Sequence, residues 1–213
     1  MKKIIICLSC LLVLTTAFGF SYAQDMNKNL SDNLIRLHIV ANSDSAYDQN
    51  LKLKLKDHVN ALISEKTKSA HNKQEAEQLI KNSMSDISLD ANAFLKEQNA
   101  PYSAKVEYGK FEFPTKYYQN VVLPSGKYDG LKINLGKNAG HNWWCVMYPP
   151  LCFTDQVTAF MPSQSNDYLK SHLGEEEYSI ISADEEDSVP LHFKFKIVEV
   201  FEEIRQKVQD KHN

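Results

Sequence analysis

The sequence predicts an α+β fold, in which a small mixed or antiparallel sheet carries amphipathic helices in a single domain. A period-two strand pattern near residue 35 comes first, two long helical patterns follow it, and a β-rich block with many aromatic residues comes next. The composition fits a globular chain, because 43% of the residues are hydrophobic and 24% are charged. A net charge of −3 without a clustered basic face argues against nucleic-acid binding.

The N-terminus has the pattern of a secretory signal peptide. Two lysines precede an almost wholly apolar stretch over residues 4–18, and Ser21 and Ala23 supply the small residues of a cleavage site. We therefore expect residues 1–23 to be a signal peptide and residues 24–213 to form one exported globular domain. The alternative is an uncleaved anchor, and the signal segment would then be the membrane contact of the protein.

Helical periodicity follows the first strand, which covers about Asn33 to Ala41. Ser45 with an acid three residues later resembles a capping box that opens a helix, and the apolar spacing from Leu51 to Leu62 continues it. A second helix is predicted from about Lys73 to Glu97, with one apolar face. A C-terminal helix is predicted over residues 191–211, where it would pack onto the sheet.

The block from Pro101 to Phe153 is predicted to be rich in β-strands. Apolar residues alternate with polar ones up to Tyr108, and the phase of the alternation changes at Gly109, which predicts a β-bulge there. Val121 to Leu123 and the alternating segment 131–135 predict further strands.

An acidic segment over about residues 175–187 contains seven Asp or Glu residues and no Lys or Arg. It is predicted to be a solvated loop. A calcium site is the alternative, but the segment lacks the alternating ligands and central glycine of an EF-hand loop. No metal or cofactor is therefore expected.

Two cysteines, Cys145 and Cys152, remain once the signal segment is set aside. An exported chain with two cysteines favours a disulfide, and Pro149 and Pro150 between them indicate a turn that returns the chain. The alternative is a pair of buried reduced thiols.

Cysteine-based chemistry is a weaker interpretation of the same residues. A nucleophilic Cys145 would need a base and an orienting group such as Asp155, and the candidate bases are His38, His58 and His141. No catalytic cysteine signature is present. A zinc site from His141, Cys145 and Cys152 lacks a fourth ligand, so no catalytic or metal-binding residue is expected.

Trp143 and Trp144 are consecutive, so on a strand they point to opposite faces of the sheet. If one tryptophan lies in the core, the other lies at the surface or covers a second face. An exposed tryptophan beside a proline turn is an effective anchor for a protein partner.

Several segments together resemble the stage II sporulation protein R family. The most specific runs from Asn142 to Phe153 and contains Trp-Trp-Cys and Pro-Pro-Leu-Cys-Phe. The other matching segments are Ile35–Ser45 with Asp48, Gln49 and Leu51–Lys54 after it, Phe113–Lys116, Leu123 and Pro124 with Gly126, Tyr128 and Leu131, the glycines Gly136 and Gly140, and Lys194–Glu199.

The resemblance implies a signalling protein and not an enzyme. Members are made in the forespore and exported into the space between forespore and mother cell, where they activate a membrane-embedded aspartic protease of the mother cell. That protease cleaves the precursor of the early mother-cell sigma factor. The family supplies no catalytic residues. We place the partner contact on the segment Trp143 to Phe153, and the candidate contact residues are Trp143, Trp144, Tyr148, Pro149 and Pro150.

Two other classes of function stay open at this point. One is a secreted hydrolase that depends on Cys145, and the other is a passive extracytoplasmic binding module.

Overall fold

A four-stranded mixed sheet lies at the centre of the structure, in the order β2-β5-β1-β6. The computed structural model describes residues 28–117, 121–150, 152, 163–173, 178–179 and 181–182. Its strands are β1 (Ile35–Val40), β2 (Ala104–Phe113), β3 (Lys116–Tyr117), β4 (Val122–Leu123), β5 (Gly126–Leu135) and β6 (Asn142–Tyr148). Strands β3 and β4 form a separate small hairpin.

The two inner strands are β1 and β5, and they run parallel. Leu37 of β1 lies beside Leu131 of β5 on one side and beside Cys145 of the antiparallel β6 on the other. Strand β2 pairs antiparallel with β5 over its whole length, from Ala104 opposite Leu135 to Phe113 opposite Gly126. The predicted mixed sheet is therefore confirmed.

Five helical segments surround the sheet in the described part of the chain. They are α1 (28–33), α2 (Ala46–Thr67), α3 (Lys73–Asn82), α4 (Met84–Glu97) and α5 (Ser163–His172). Helix α2 begins where the sequence predicts, because the Ser45 side chain accepts a hydrogen bond from the backbone N–H of Asp48 at 3.2 Å.

The predicted helix from Lys73 to Glu97 is two helices. Helix α3 ends at Ser83, whose φ and ψ angles of −98° and 5° leave the α-helical region, and α4 starts at the next residue. Asn82 and Ser83 are weak helix formers, but neither is a glycine or proline that would mark a break.

Helices α2, α3 and α4 cover one face of the sheet and bury a core that we call the helix-side core. Every second residue of β1 and β5 points into it, together with the apolar faces of the three helices. Its members include Leu37, Ile39, Leu55, Val59, Ile63, Ile80, Ile87, Ala91, Leu131, Ile133, Trp143 and Cys145.

A second core covers the other face, and we call it the opposite core. Helix α1, the β3–β4 hairpin and α5 contribute to it, so both faces of the sheet are buried. Its members include Leu30, Leu34, Phe113, Val122, Leu123, Tyr128, Val146, Leu169 and Leu173. All six residues of β1 are consequently buried.

The predicted bulge at Gly109 is wrong. The register between β2 and β5 advances one residue at a time from Ala104 to Phe113, with Gly109 opposite Gly130. The apolar residues change face at this point because Tyr108 packs against the helix-side core while Phe111 packs against the opposite core. A regular strand between two cores thus imitates the phase change of a bulge.

The α+β single-domain prediction is confirmed, and some other predictions lie outside the described residues. These are the signal segment, the C-terminal helix 191–211, Asp155 and most of the acidic segment; Ile181 and Ser182 from that segment are buried. The described residues contain no helix with the length and apolar character of a membrane span.

Candidate functional site

Strand β6 carries most of the predicted contact residues, and the structure buries several of them. Trp143 points into the helix-side core with 8% of its surface exposed, and the Lys56 ammonium lies 4.7 Å from the centre of its ring. Its position under α2 makes Trp143 a core residue rather than an exposed anchor.

Trp144 points to the opposite face, as the strand alternation requires, and is partly buried. Its ring stacks on the imidazole of His38 with the ring centres 3.6 Å apart, and it meets Phe113 edge to face at 5.2 Å. The two consecutive tryptophans therefore tie the same strand into two separate cores.

His38 is held as a neutral imidazole. Its Nε2 lies 2.8 Å from the side-chain oxygen of Asn142, and that amide oxygen can only accept a hydrogen bond, so the imidazole donates. Burial lowers the pKa of His38 to about 4, against the opposing effect of the Asn142 hydrogen bond, and the charge of Lys132 lowers it further.

The turn after β6 is only partly accessible. Tyr148 is buried, its hydroxyl donates to the carbonyl of Ala70 at 3.4 Å, and its ring meets Tyr168 of α5 edge to face. Pro149 is buried and Pro150 is exposed. Among the five predicted contact residues, Pro150 and the partly buried Trp144 thus offer accessible surface.

Cys145 and Cys152 lie at disulfide distance. Their Cα atoms are 5.3 Å apart, their sulfur atoms are joined in the structure, and both residues are buried in the helix-side core. The side-chain amide of Asn60 donates to the carbonyl of Cys152 at 3.3 Å, which fixes the turn to α2. The geometry suits the predicted bridge.

The three candidate bases do not approach Cys145. His38 lies on the opposite face of the sheet, His58 pairs with Asp90 between α2 and α4 at 2.5 Å, and His141 pairs with Asp44 at 2.5 Å. Within the described ranges, no group of three or more His, Cys, Asp or Glu residues has metal-site geometry.

A buried carboxylate organises the loop between β1 and α2, and sequence reasoning missed it. Asp48 is 4% exposed and accepts hydrogen bonds from the Ser43 hydroxyl at 2.5 Å, the Tyr102 hydroxyl at 2.5 Å and the Asn42 amide at 2.8 Å. Burial alone would raise the pKa of the Asp48 carboxyl, but these bonds outweigh it and hold the pKa below its usual value.

The loop from β5 to β6 packs against this network at close range. Gly136 has a positive φ of 52°, and a Cβ there would overlap the Asn42 side chain, while a Cβ on Gly140 would overlap the Ser43 carbonyl. Below the loop, the Lys52 ammonium donates to the carbonyl of His141 at 3.1 Å. The spacing of Asn, Ser, Asp and two glycines was visible in the sequence, but the contact with Tyr102 was not.

A second group of buried charges fixes α1 to the sheet. The Lys73 ammonium lies 2.6 Å from the Asp129 carboxylate and donates to the Ser31 carbonyl at 2.6 Å. The Arg36 guanidinium lies over the rings of Phe113 and Tyr128 at 4.5 and 4.9 Å. No short-range pattern in the sequence indicates these partners.

Comparison with known proteins supports the family resemblance of these segments. The family model for stage II sporulation protein R matches residues 31–158. A curated protein, stage II sporulation protein R of Bacillus subtilis (strain 168), is 38% identical over 161 residues, which cover 72% of each chain. This chain belongs to the stage II sporulation protein R family. No solved structure matches it significantly.

The match spans the six strands and helices α2 to α4. It begins within α1, includes both loops around Asp48, and ends beyond Cys152, before α5. The β1 segment and the Trp-Trp-Cys strand both resemble the stage II sporulation protein R family. They are adjacent in the sheet, with Ile39 paired to Trp143.

Proposed function

We propose that this chain is an exported signalling protein of sporulation that activates a membrane-embedded aspartic protease in the mother cell. Activation causes cleavage of the precursor of the early mother-cell sigma factor. The observation that carries the proposal is membership of the stage II sporulation protein R family. The secretory pattern of residues 1–23 supports it independently, because such a signal must reach the space between the two cells.

The chemistry around Cys145 supports a role without catalysis. A cysteine nucleophile needs a free thiol and a base within hydrogen-bond reach. Cys145 is instead joined to Cys152, and His38 lies on the other face of the sheet.

An activator works by binding one state of its receptor more tightly than the other, because equal affinity for both states shifts nothing. We propose that the chain stabilises the cleavage-competent form of the protease through the segment from Trp143 to Phe153. The burial of Trp143 and Tyr148 makes them supports of this surface, and Pro150 its accessible part.

Reconstitution tests the proposed function. Residues 24–213 are added from outside to membranes that carry the protease and the sigma-factor precursor. We expect cleavage that depends on the added protein and that persists when Cys145 and Cys152 are both replaced by Ser. Absence of cleavage with folded protein would overturn the proposal, and loss in Cys145→Ser alone, with the fold retained, would favour a cysteine hydrolase.

The contact surface is tested separately with two exposed prolines. Pro150→Glu places a charge on the proposed surface, and Pro101→Glu places the same charge on the exposed turn after α4. We expect the first variant to need at least tenfold more protein for half-maximal cleavage and the second to match the wild type. Equal activity of the two variants would show that the contact lies elsewhere.

A further inference from the structure

The indole N–H of Trp143 is a buried donor without an acceptor. Its Nε1 atom is fully shielded from solvent and has no hydrogen-bond partner in the described part of the chain. Trp143 nevertheless lies on β6, at the edge of the described sheet. A buried polar group without a partner costs free energy, and in native structures it commonly marks a place where a water or ion binds.

Two ammonium groups face the same ring. Lys56 Nζ lies 4.7 Å and Lys116 Nζ lies 6.0 Å from the centre of the Trp143 indole. Lys56 is paired with Asp57 at 2.7 Å, and its side chain is 2% exposed. In the described part of the chain, no ion pair includes Lys116.

The environment of Lys116 carries an excess of positive charge. Burial lowers the pKa of the Lys116 ammonium, and the nearby charge of Arg36 lowers it further. Asp57 is paired with Lys56, and in the described part of the chain no carboxylate is paired with Lys116. A partly buried cation that has no counterion among the described residues favours the binding of an anion.

The group lies at the edge of the sheet. Strand β6 pairs with β1, and among the described strands none pairs with its other side. Lys116 is partly exposed and comes from the β3–β4 hairpin, so it connects the indole to solvent. Its side chain is a flexible four-carbon stem, so the ammonium can rotate away from the ring toward a ligand.

We infer that Lys56, Lys116 and Trp143 form a binding site for a carboxylate. The indole N–H donates to one carboxylate oxygen, and the Lys116 ammonium supplies the opposite charge and a second donor. A single negative charge balances Lys116, for which the described residues supply no counterion. A water molecule would satisfy the N–H but would leave that charge uncompensated.

Two sources present this chemistry. One is a separate acidic polypeptide, and the other is the acidic segment of this chain. The described end of that segment is close to the site along the sheet, because Ser182 pairs with Val121 and the next strand, β4, places Leu123 opposite Lys116. Both sources offer an Asp or Glu carboxylate to the same three residues.

The indole resonance of Trp143 in a ¹⁵N–¹H spectrum reports directly on the site. Trp144→Phe assigns the two indole signals, and sodium acetate is titrated against sodium chloride at constant ionic strength. We expect the Trp143 indole proton to move downfield and to saturate with acetate. No movement, or movement that does not saturate, would overturn the site.

Variants of Lys116 test the charge. Lys116→Gln is expected to raise the acetate Kd at least fivefold, whereas Lys116→Arg retains binding. Lys127→Gln removes a lysine that is 67% exposed on β5, and it should leave the Kd unchanged. Equal Kd values for Lys116→Gln and wild type would overturn the assignment, and the spectra themselves show whether each variant is folded.

The source of the carboxylate is distinguished with a four-residue variant, in which Asp184→Asn, Glu185→Gln, Glu186→Gln and Asp187→Asn are combined. If the acidic segment of the chain competes for the site, acetate binds more tightly to this variant than to the wild type. If the carboxylate comes from another polypeptide, the two Kd values agree.

Discussion

Single side chains in this fold carry unusually large electrostatic consequences because both faces of the sheet are buried. His38 is one of them, since it lies beneath Trp144 with its pKa lowered to about 4. In the unfolded chain the His38 imidazole takes up a proton near pH 6.5, but in the folded chain it does so only as the pH approaches 4. Stability attributable to His38 is therefore complete above pH 6.5 and falls as the pH drops from 6.5 to 4.

We expect the contribution of His38 to lower the free energy of unfolding by about 3 kcal/mol between pH 6.5 and pH 4. His38→Phe retains an aromatic ring for Trp144 but has no proton to bind. Urea unfolding at pH 7.0, 5.5 and 4.5 should show a steeper loss of stability in the wild type than in His38→Phe. Parallel pH profiles of the two proteins would contradict a neutral buried imidazole.

Asp48, in the first turn of α2, shows the opposite effect, because folding lowers the pKa of an acid. Asp48→Asn keeps the shape of the side chain but removes the negative charge that accepts hydrogen bonds from three side-chain donors. We expect the free energy of unfolding, measured with urea at pH 7, to fall by about 2–3 kcal/mol. Asp86→Asn, at an acid that is 70% exposed, should change stability by less than about 0.5 kcal/mol.

The pH dependence of this difference provides a further check. The pKa of Asp48 is lowered by folding, so its contribution is present above the unfolded pKa and disappears as the pH falls through the folded value. The stability gap between wild type and Asp48→Asn should therefore narrow below about pH 4. A gap that stays constant down to pH 3 would show that the carboxylate is not the charged form.

Residues of this kind mark the limit of what the sequence predicts. The N-cap at Ser45 was predictable because it needs only the next three residues. The role of Asp48 was not, since its Tyr102 partner comes from beyond three helices. Lys73 and Asp129 likewise form a buried pair that no local spacing indicates.

At the scale of elements, the contact between β2 and β5 offers a matched pair of glycines. Gly109 and Gly130 lie opposite each other, but a Cβ on Gly130 would be 2.8 Å from the Arg36 carbonyl oxygen, whereas the nearest atom to a Cβ on Gly109 is in the Phe111 ring at 3.5 Å. We expect Gly130→Ala to destabilise the protein by about 1–3 kcal/mol in urea unfolding.

Gly109→Ala is the control, and we expect it to change stability by less than about 1 kcal/mol, because its Cβ makes ordinary contacts. Similar losses in the two variants would mean that Gly130 does not approach the Arg36 carbonyl of β1 as closely as observed. The sequence alone treated Gly109 as the special position, because alternation cannot distinguish a bulge from a strand that serves two cores.

Helices show the same division between local and distant information. The apolar spacing from Leu51 onward located α2 correctly, since its buried residues recur with helical periodicity. The break at Ser83 was not predictable, because the apolar face continues through it from Ile80 to Ile87. Only the backbone angles of Ser83 show that the helix is interrupted there.

For the whole molecule, β1 is an inner strand of the described sheet, and all six of its residues are buried. We expect the amides of Leu37 and Ile39 to exchange with solvent only through global unfolding, because β1 is buried on both faces and hydrogen-bonded on both sides. Native-state hydrogen exchange should give them the same free energy as urea unfolding. Faster exchange in β1 than in the edge strand β2 would contradict this central position.

The pairing of β1 also sets an order for folding. Ile35–Val40 is the first strand of the described chain, yet both neighbours of this strand come from residues 126–148. Long-range parallel pairing of this kind forms slowly, because distant segments must meet before their contacts can stabilise the sheet. The topology thus delays assembly of the sheet until residues 126–148 can pair with β1, and the centre of the molecule forms only when both ends of this long loop are present.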